Sequence, residues 1–133
     1  MTNPIDKLAW LYIRNRKVLV ARSKGKTLFY LPGGKRDVGE SDHQALIREV
    51  SEEISVDLLP ASIRFAAIFE AQADGKSAGT TVRMTCYFAD FTGSIAAAAE
   101  IEEVAWLDRG DKARCSANAR QVLDWLAAGD YIE

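Results

Sequence analysis

"GKRDVGESDHQALIREVSEEISV", residues 34–56, divides at Ser41 into a loop and a helix. Up to Glu40 the stretch is charged and glycine-rich, and it continues "LPGG" of residues 31–34. Gly33 and Gly34 there mark unusual backbone angles or a close backbone approach. From Ser41 the pattern changes. Ser41 offers an N-cap and Gln44 completes S-x-x-Q, a capping box. Leu46, Ile47, Val50 and Ile54 then recur with a 3.6-residue period, which predicts a helix from Asp42 to about Ile54. Glu49, Glu52 and Glu53 stand at i, i+3 and i+4, so three carboxylates share a neighbouring face. Like charges so spaced cost roughly a few tenths of a kcal/mol per pair unless something neutralises them. An Arg48–Glu52 pair on a solvated face is one answer; a cation held by the carboxylates is another.

Working outward, "KLAWLYI" (7–13) and "VLVARS" (18–23) read as strands joined by the polar turn "RNRK", a hairpin. "KGKT" is a lysine-bearing loop. Beyond the helix, "IRFAAIFEAQ" (63–72) and "TVRMTCYFADF" (81–91) read as paired strands around the loop "ADGKSAGT". A short alanine run, 96–99, leads into Glu100, Glu102 and Glu103 just before "VAWLD". "SANARQVLDWLAAGDYI" reads as a second amphipathic helix, with Val122, Leu123, Trp125 and Leu126 on its apolar side and Gly129 as C-cap. The order is β-β-loop-α-β-β-(β)-α. It predicts an α/β or α+β fold, an α/β/α sandwich around a central mixed sheet, with no internal repeat or linker over 1–133.

Length and composition bound the function. A chain of 133 residues, 48% hydrophobic and 27% charged, fits one domain with one core. The net charge of −2 argues against a protein that coats duplex nucleic acid. Cys86 and Cys115 read as free thiols of a reducing compartment, and with one histidine and no CxxC a Cys/His zinc site is excluded. No apolar run approaches 18 residues and no signal peptide is evident, so the expected location is cytoplasmic.

A glycine-rich loop followed by clustered carboxylates has a physical use. The loop backbone meets a ligand, and the carboxylates supply hard oxygens that select Mg²⁺ or Mn²⁺, which in turn recruit phosphate. From Gly34 the spacing resembles the Nudix box, G-x5-E-x7-R-E-U-x-E-E-x-G-U, U being bulky aliphatic. Gly34, Glu40, Arg48, Glu49, Val50, Glu52, Glu53 and Val56 all match. The preceding LPGG and the order of elements suit the same family. The one departure is Ser55, where the family has glycine; serine is expected to serve there at modest conformational cost, especially if its φ stays negative.

The resemblance implies roles. Glu49, Glu52 and Glu53 match the family's metal-binding glutamates, and one of them or a nearby acid would be the general base. Arg48 matches the arginine that holds a glutamate in position, and Glu40 a supporting loop glutamate. A carbonyl of Gly33 or Gly34 would be a backbone ligand. A further acid is expected before a late strand, Glu100 first and Glu103 second. Substrate phosphates are assigned to Arg22, Gly33, Gly34 and Lys35, with Lys24, Lys26 and Arg36 as nearby cations. Arg83 either reaches substrate or pairs with Glu70. Tyr12, Phe29, Tyr30 and Phe69 are candidates for base stacking, with core packing the commoner job, and His43 reads as surface. The implied activity is that of a Mg²⁺-dependent pyrophosphohydrolase, with Mn²⁺ as a substitute. It would cleave a nucleoside diphosphate linked to a group X by attack of an activated water on phosphorus. The alternatives are a Nudix-fold nucleotide sensor without turnover and an RNA 5′-pyrophosphohydrolase. A small-molecule nucleotide is the expected partner, a homodimer is compatible with family habit, and "KGKT" and "ADGKSAG" are where specificity would be sought.

Overall fold

The computed structural model describes residues 4–73, 76 and 78–133. In chain order its strands and α-helices are β1 (Ile5–Leu11), β2 (Ile13–Arg14), β3 (Lys17–Ser23), β4 (Gly33–Lys35), α1 (Asp42–Ile54), β5 (Asp57–Leu58), β6 (Arg64–Gln72), β7 (Thr81–Phe88), β8 (Phe91–Thr92), β9 (Ile101–Leu107) and α2 (Ala117–Ala128). The central sheet has the order β4-β1-β7-β6, and it is mixed: β1 runs parallel to β7 and antiparallel to β4, while β6 and β7 are antiparallel. A second sheet, β2-β3-β9, is antiparallel, and β5 pairs with β8.

Alternation along two strands puts a helix on each side. Leu8 and Trp10 of β1 and Leu19 and Ala21 of β3 pack in one cluster with Ala45, Leu46, Val50 and Ile54 of α1. Ala9, Leu11, Val18 and Val20, the intervening residues, pack with Ala119, Val122, Leu123 and Leu126 of α2. Successive side chains of a strand point to opposite faces, so both faces are buried and the strands read as continuous apolar runs. The result is the expected α/β/α layering with a mixed sheet. Among the described residues no helix is long and apolar enough to cross a membrane.

Helix α1 forms over the expected residues. Ser41 Oγ accepts from the Gln44 N–H (3.2 Å) and Gln44 Oε1 from the Ser41 N–H (2.9 Å), completing the capping box. Elsewhere the strands differ from expectation. The first two do not form a simple hairpin. β1 ends at Leu11 and pairs with β7, seventy-odd positions on, whereas only Ile13 and Arg14 pair back onto β3. The chain changes sheets at Tyr12, whose carbonyl accepts from Leu19 N–H and whose ring stacks on Trp10. The strand expected over 81–91 stops at Phe88: the Trp10 indole N–H takes the Ala89 carbonyl at 3.1 Å, and Phe91 restarts pairing with Leu58. The glycine-rich loop opens as a strand, with Gly33 opposite Ala9. Gly129 caps α2 at φ −86°, and the left-handed residue is Asp130 instead. Cys86 and Cys115 are free and buried, and burial pushes both thiols up, to about 12 and about 11.

Candidate active site

Arg48 organises the carboxylates of α1. Its guanidinium donates to Glu40 Oε2 (2.8 Å) and Oε1 (3.0 Å), to Glu49 Oε1 (2.7 Å) and to the Lys35 carbonyl (3.1 Å), so it fastens the loop to the helix. It also lies 3.4 Å from both oxygens of Glu52, whose side chain is 56% exposed. Glu40 is held below the usual carboxylate range by Arg48 first and then by the Asp37 N–H, which donates to Oε1 at 2.7 Å. Arg36, expected to meet phosphate, instead binds Asp6 (2.6 Å) and Asp42, and the Tyr87 hydroxyl donates to Asp42 at 2.8 Å.

Glu53 and Glu49 turn inward. Glu53 Oε1 accepts the Gly33 N–H at 3.0 Å, yet its carboxyl is pushed up to about 7. Burial is the main cause; Glu49 and Glu100 add to it, and the Gly33 N–H opposes it. Glu49 is also raised, by burial first, against the pull of Arg48. The glycines permit this approach. A Cβ on Gly34 would sit 2.2 Å from Glu49 Oε2, and one on Gly33, at φ 143°, would sit 2.0 Å from the Leu8 carbonyl oxygen.

Glu49, Glu53 and Glu100 line a cavity of about 390 Å³ together with Gly33, Gly34 and Lys35. Lys7, Lys26 and Lys76 also line it, and Ile5, Val82, Met84, Tyr30, Ser116 and Asn118 contribute to the remainder. The donor chemistry suits a hard divalent cation: several carboxylate oxygens beside a glycine backbone. As placed, no three acidic, histidine or cysteine side chains among the described residues converge closely enough to hold an ion. Glu49 and Glu52 are turned to Arg48 and Glu53 to Gly33.

A model of the NUDIX domain matches residues 7–126. The chain belongs to the Nudix family. It is a hydrolase acting on phosphoric anhydride bonds. No curated protein matches the chain significantly. Among solved structures, the E. coli ORF135 protein is similar at 22% identity, covering 96% of this chain and 91% of that one with a TM-score of 0.74. MutT NUDIX hydrolase from Burkholderia pseudomallei is 20% identical over 92% and 98%, with a TM-score of 0.74. A UDP-X diphosphatase is 17% identical over 98% and 66%, again with a TM-score of 0.74. At these identities the likeness concerns the fold.

Several residues of this Nudix chain sit elsewhere than the sequence suggested. Ser55 does not keep a negative φ; it is left-handed at φ 68°, ψ 22°. Arg22 is absent from the cavity wall, because its Nε is bonded to Glu103 Oε1 at 3.0 Å and its Nη1 to the Lys26 carbonyl. Glu103 is thereby engaged across β3 and β9, and with Glu102 it lies within β9, not before it. Glu100 alone of that trio lines the cavity, and Glu52 does not. Arg83 pairs with Glu70 at 3.3 Å. Of the four aromatic candidates only Tyr30 lines the cavity; Phe29 is core and Tyr12 and Phe69 pack against it. His43 is exposed, as expected. Of the two specificity loops, "KGKT" supplies Lys26 and "ADGKSAG" supplies Ala73 and Lys76; Asp74, Gly75 and Ser77 lie outside the described residues. Lys7 and Asn118 were not anticipated. Asn118 is 8% exposed, with Nδ2 donating to Val82 O (3.4 Å) and Gln121 Oε1 (3.3 Å). Its sequence signal was a polar residue four positions before Val122, on the apolar stripe of α2.

Proposed function

We propose that this hydrolase is a Mg²⁺-dependent pyrophosphohydrolase, with Mn²⁺ as a substitute, acting on nucleoside diphosphates linked to a group X. Nucleoside triphosphates and modified or oxidised nucleotides are the first class to try. The observation that carries this is the cavity's composition: Glu49, Glu53 and Glu100, four lysines (7, 26, 35 and 76) and apolar side chains line the same space. Lysines with carboxylates suit a diphosphate that arrives with a divalent cation; Ile5, Val82, Met84 and Tyr30 suit a base.

Glu49, Glu52, Glu53, Glu100 and the Gly33 carbonyl would hold the cation, which supplies Lewis-acid neutralisation of the diphosphate. Glu52 would join that set by exchanging its long contacts with Arg48. Lys35 and the Gly33–Gly34 backbone bind phosphate oxygens and orient the scissile bond. One glutamate of the set takes the proton of the attacking water. Arg48 holds Glu49 and Glu40 in place throughout. With a triphosphate as substrate the products are a monophosphate and pyrophosphate. Residues 1–133 are taken as one such unit working in the cytoplasm; light scattering distinguishes a monomer from a homodimer.

The test is hydrolysis of a panel with and without Mg²⁺ or Mn²⁺. It comprises nucleoside triphosphates, oxidised nucleotides, nucleotide sugars, dinucleoside polyphosphates, ADP-ribose and 5′-triphosphate RNA. Metal-dependent turnover that falls at least a hundredfold in Glu53→Gln, with unchanged circular dichroism, is expected. Near-normal turnover in that variant overturns the assignment. Nucleotide binding without any turnover transfers the chain to the sensor reading, and preference for the RNA to the RNA 5′-end reading.

A further inference from the structure

We propose that Ser55 is a positioning residue: its hydroxyl ties segment 94–100 to the end of α1 and so sets where Glu100 enters the site. This rests on the metal-dependent reading above. Ser55 occupies the box position where the family has glycine, and it adopts φ 68°. Glycine reaches that conformation freely, whereas a residue with a Cβ is strained there. The hydroxyl makes a bond that glycine cannot: Oγ donates to the Ala96 carbonyl at 3.0 Å.

Apart from Ile95, which packs against the core on the α1 side, the tied segment is lightly packed. It reads Ser94-Ile95-Ala96-Ala97-Ala98-Ala99, and only Ile95 and Ala98 are even half-buried. Its order comes from hydrogen bonds. The Ala96 N–H donates to Ile54 O and the Ala98 N–H to Glu53 O, both at 2.9 Å. These satisfy two of the carbonyls that a helix end leaves without partners. The Ile101 N–H then closes on Ala98 O at 3.0 Å, around Ala99 at φ 52°, and Glu100 O accepts the Lys24 N–H at 2.8 Å. Glu100 therefore lies two residues beyond a backbone bond to Glu53 itself. The Ser55–Ala96 bond is the side-chain contact that adds to these backbone bonds in holding the segment against α1. Losing it loosens the segment just before Glu100, and with it the placement of Glu100 relative to Glu53.

Four proteins test this: Ser55→Gly, Ser55→Ala, Glu100→Gln and the double variant Ser55→Gly/Glu100→Gln. The probe is Mn²⁺ alone, titrated by calorimetry, with metal-free melting and Mg²⁺-dependent kinetics alongside. Ser55→Gly relieves the backbone, so its metal-free Tm is expected to hold or rise. Its Mn²⁺ Kd and its half-saturating Mg²⁺ should nonetheless rise about fivefold, the worth of one ordinary hydrogen bond. KM for substrate at saturating metal should not move. Ser55→Ala, which keeps the strain and loses the bond, should weaken Mn²⁺ equally and also lower Tm. In the Glu100→Gln background the glycine change should add nothing. Wild-type Mn²⁺ affinity in Ser55→Gly overturns the proposal, as does an equal loss with and without Glu100. A wild-type protein that binds no Mn²⁺ and turns nothing over overturns the metal-dependent reading, and the proposal with it.

Discussion

Replacing Glu53 by Gln should make the metal-free protein more stable, and only above a definable pH. The Glu53 carboxyl moves from an ordinary 4.5 to about 7 on folding because burial, with Glu49 and Glu100 nearby, penalises its charged form. At 1.36 kcal/mol per unit this is about 3 kcal/mol. Because the folded-state value is raised, the native state holds its proton longer than the unfolded chain does. Stability is therefore complete below about 4.5, declines as pH rises toward 7, and levels off beyond. Glutamine keeps the shape, accepts the Gly33 N–H through its amide oxygen and carries no charge at any pH. In EDTA at pH 8 the variant should melt about 10 °C above wild type for a chain of this size, and at pH 4.5 the two should coincide. Mg²⁺ should narrow the gap by raising the wild type alone, since a ligand stabilises the state that binds it. Thermal denaturation by circular dichroism across pH 4.5–8.5 measures all of this. A glutamine protein no more stable than wild type at pH 8, or equally favoured at pH 4.5, would refute the reasoning.

The two glycines before the box should separate fold from function. Gly33→Ala drives a Cβ to 2.0 Å from the backbone oxygen of Leu8, so β4 must leave β1, at about 3 kcal/mol by urea denaturation. Gly34→Ala meets only the end of the Glu49 side chain, at 2.2 Å, so stability should change by about 1 kcal/mol or less while turnover falls at least tenfold. Arg48→Lys keeps the charge but loses the fork that binds Glu40, Glu49 and the Lys35 carbonyl together; about 2 kcal/mol and most turnover should go. Leu46→Ala, at a fully buried position of α1, should cost about 2–5 kcal/mol in urea, with kcat of the remaining folded protein near normal.

Helix α1 was legible to the residue because everything that defines it is local. The cap at Ser41, its reciprocal glutamine and the apolar stripe all lie within fourteen residues. The strands were less so. Nothing between Ile5 and Leu11 announces a parallel partner at Val82–Phe88, and a hairpin is the natural reading of two apolar runs around a polar turn. The bend at Tyr12 is specified by contacts with Trp10, Phe91 and Trp106, which come from three separate parts of the chain. No short window contains that information. The same holds for Arg22. As a basic residue near a loop it read as a phosphate ligand, but the β3–β9 register sets it opposite Glu103.

The site shows why a spacing motif is more informative about chemistry than about geometry. The box fixes which carboxylates lie on α1 and places Arg48 among them, because both follow from helical period. It is silent on how far each carboxylate is from water. Burial separates the three: Glu53 is raised to about 7, Glu49 is raised against the pull of Arg48, and Glu52 stays at the surface against Arg48. That difference comes from β4 pairing with β1, which brings the Gly33 N–H onto Glu53 and the open side of Gly34 onto Glu49. Tertiary pairing of a three-residue strand thus divides three like residues into half-buried and exposed members. In the metal-free protein the half-buried pair opposes folding, and the neutral Glu53→Gln protein is where the Glu53 share of that opposition disappears together with turnover. One substitution that raises stability and abolishes activity would tie both effects to the same carboxylate, which a merely solvated helix face would not do.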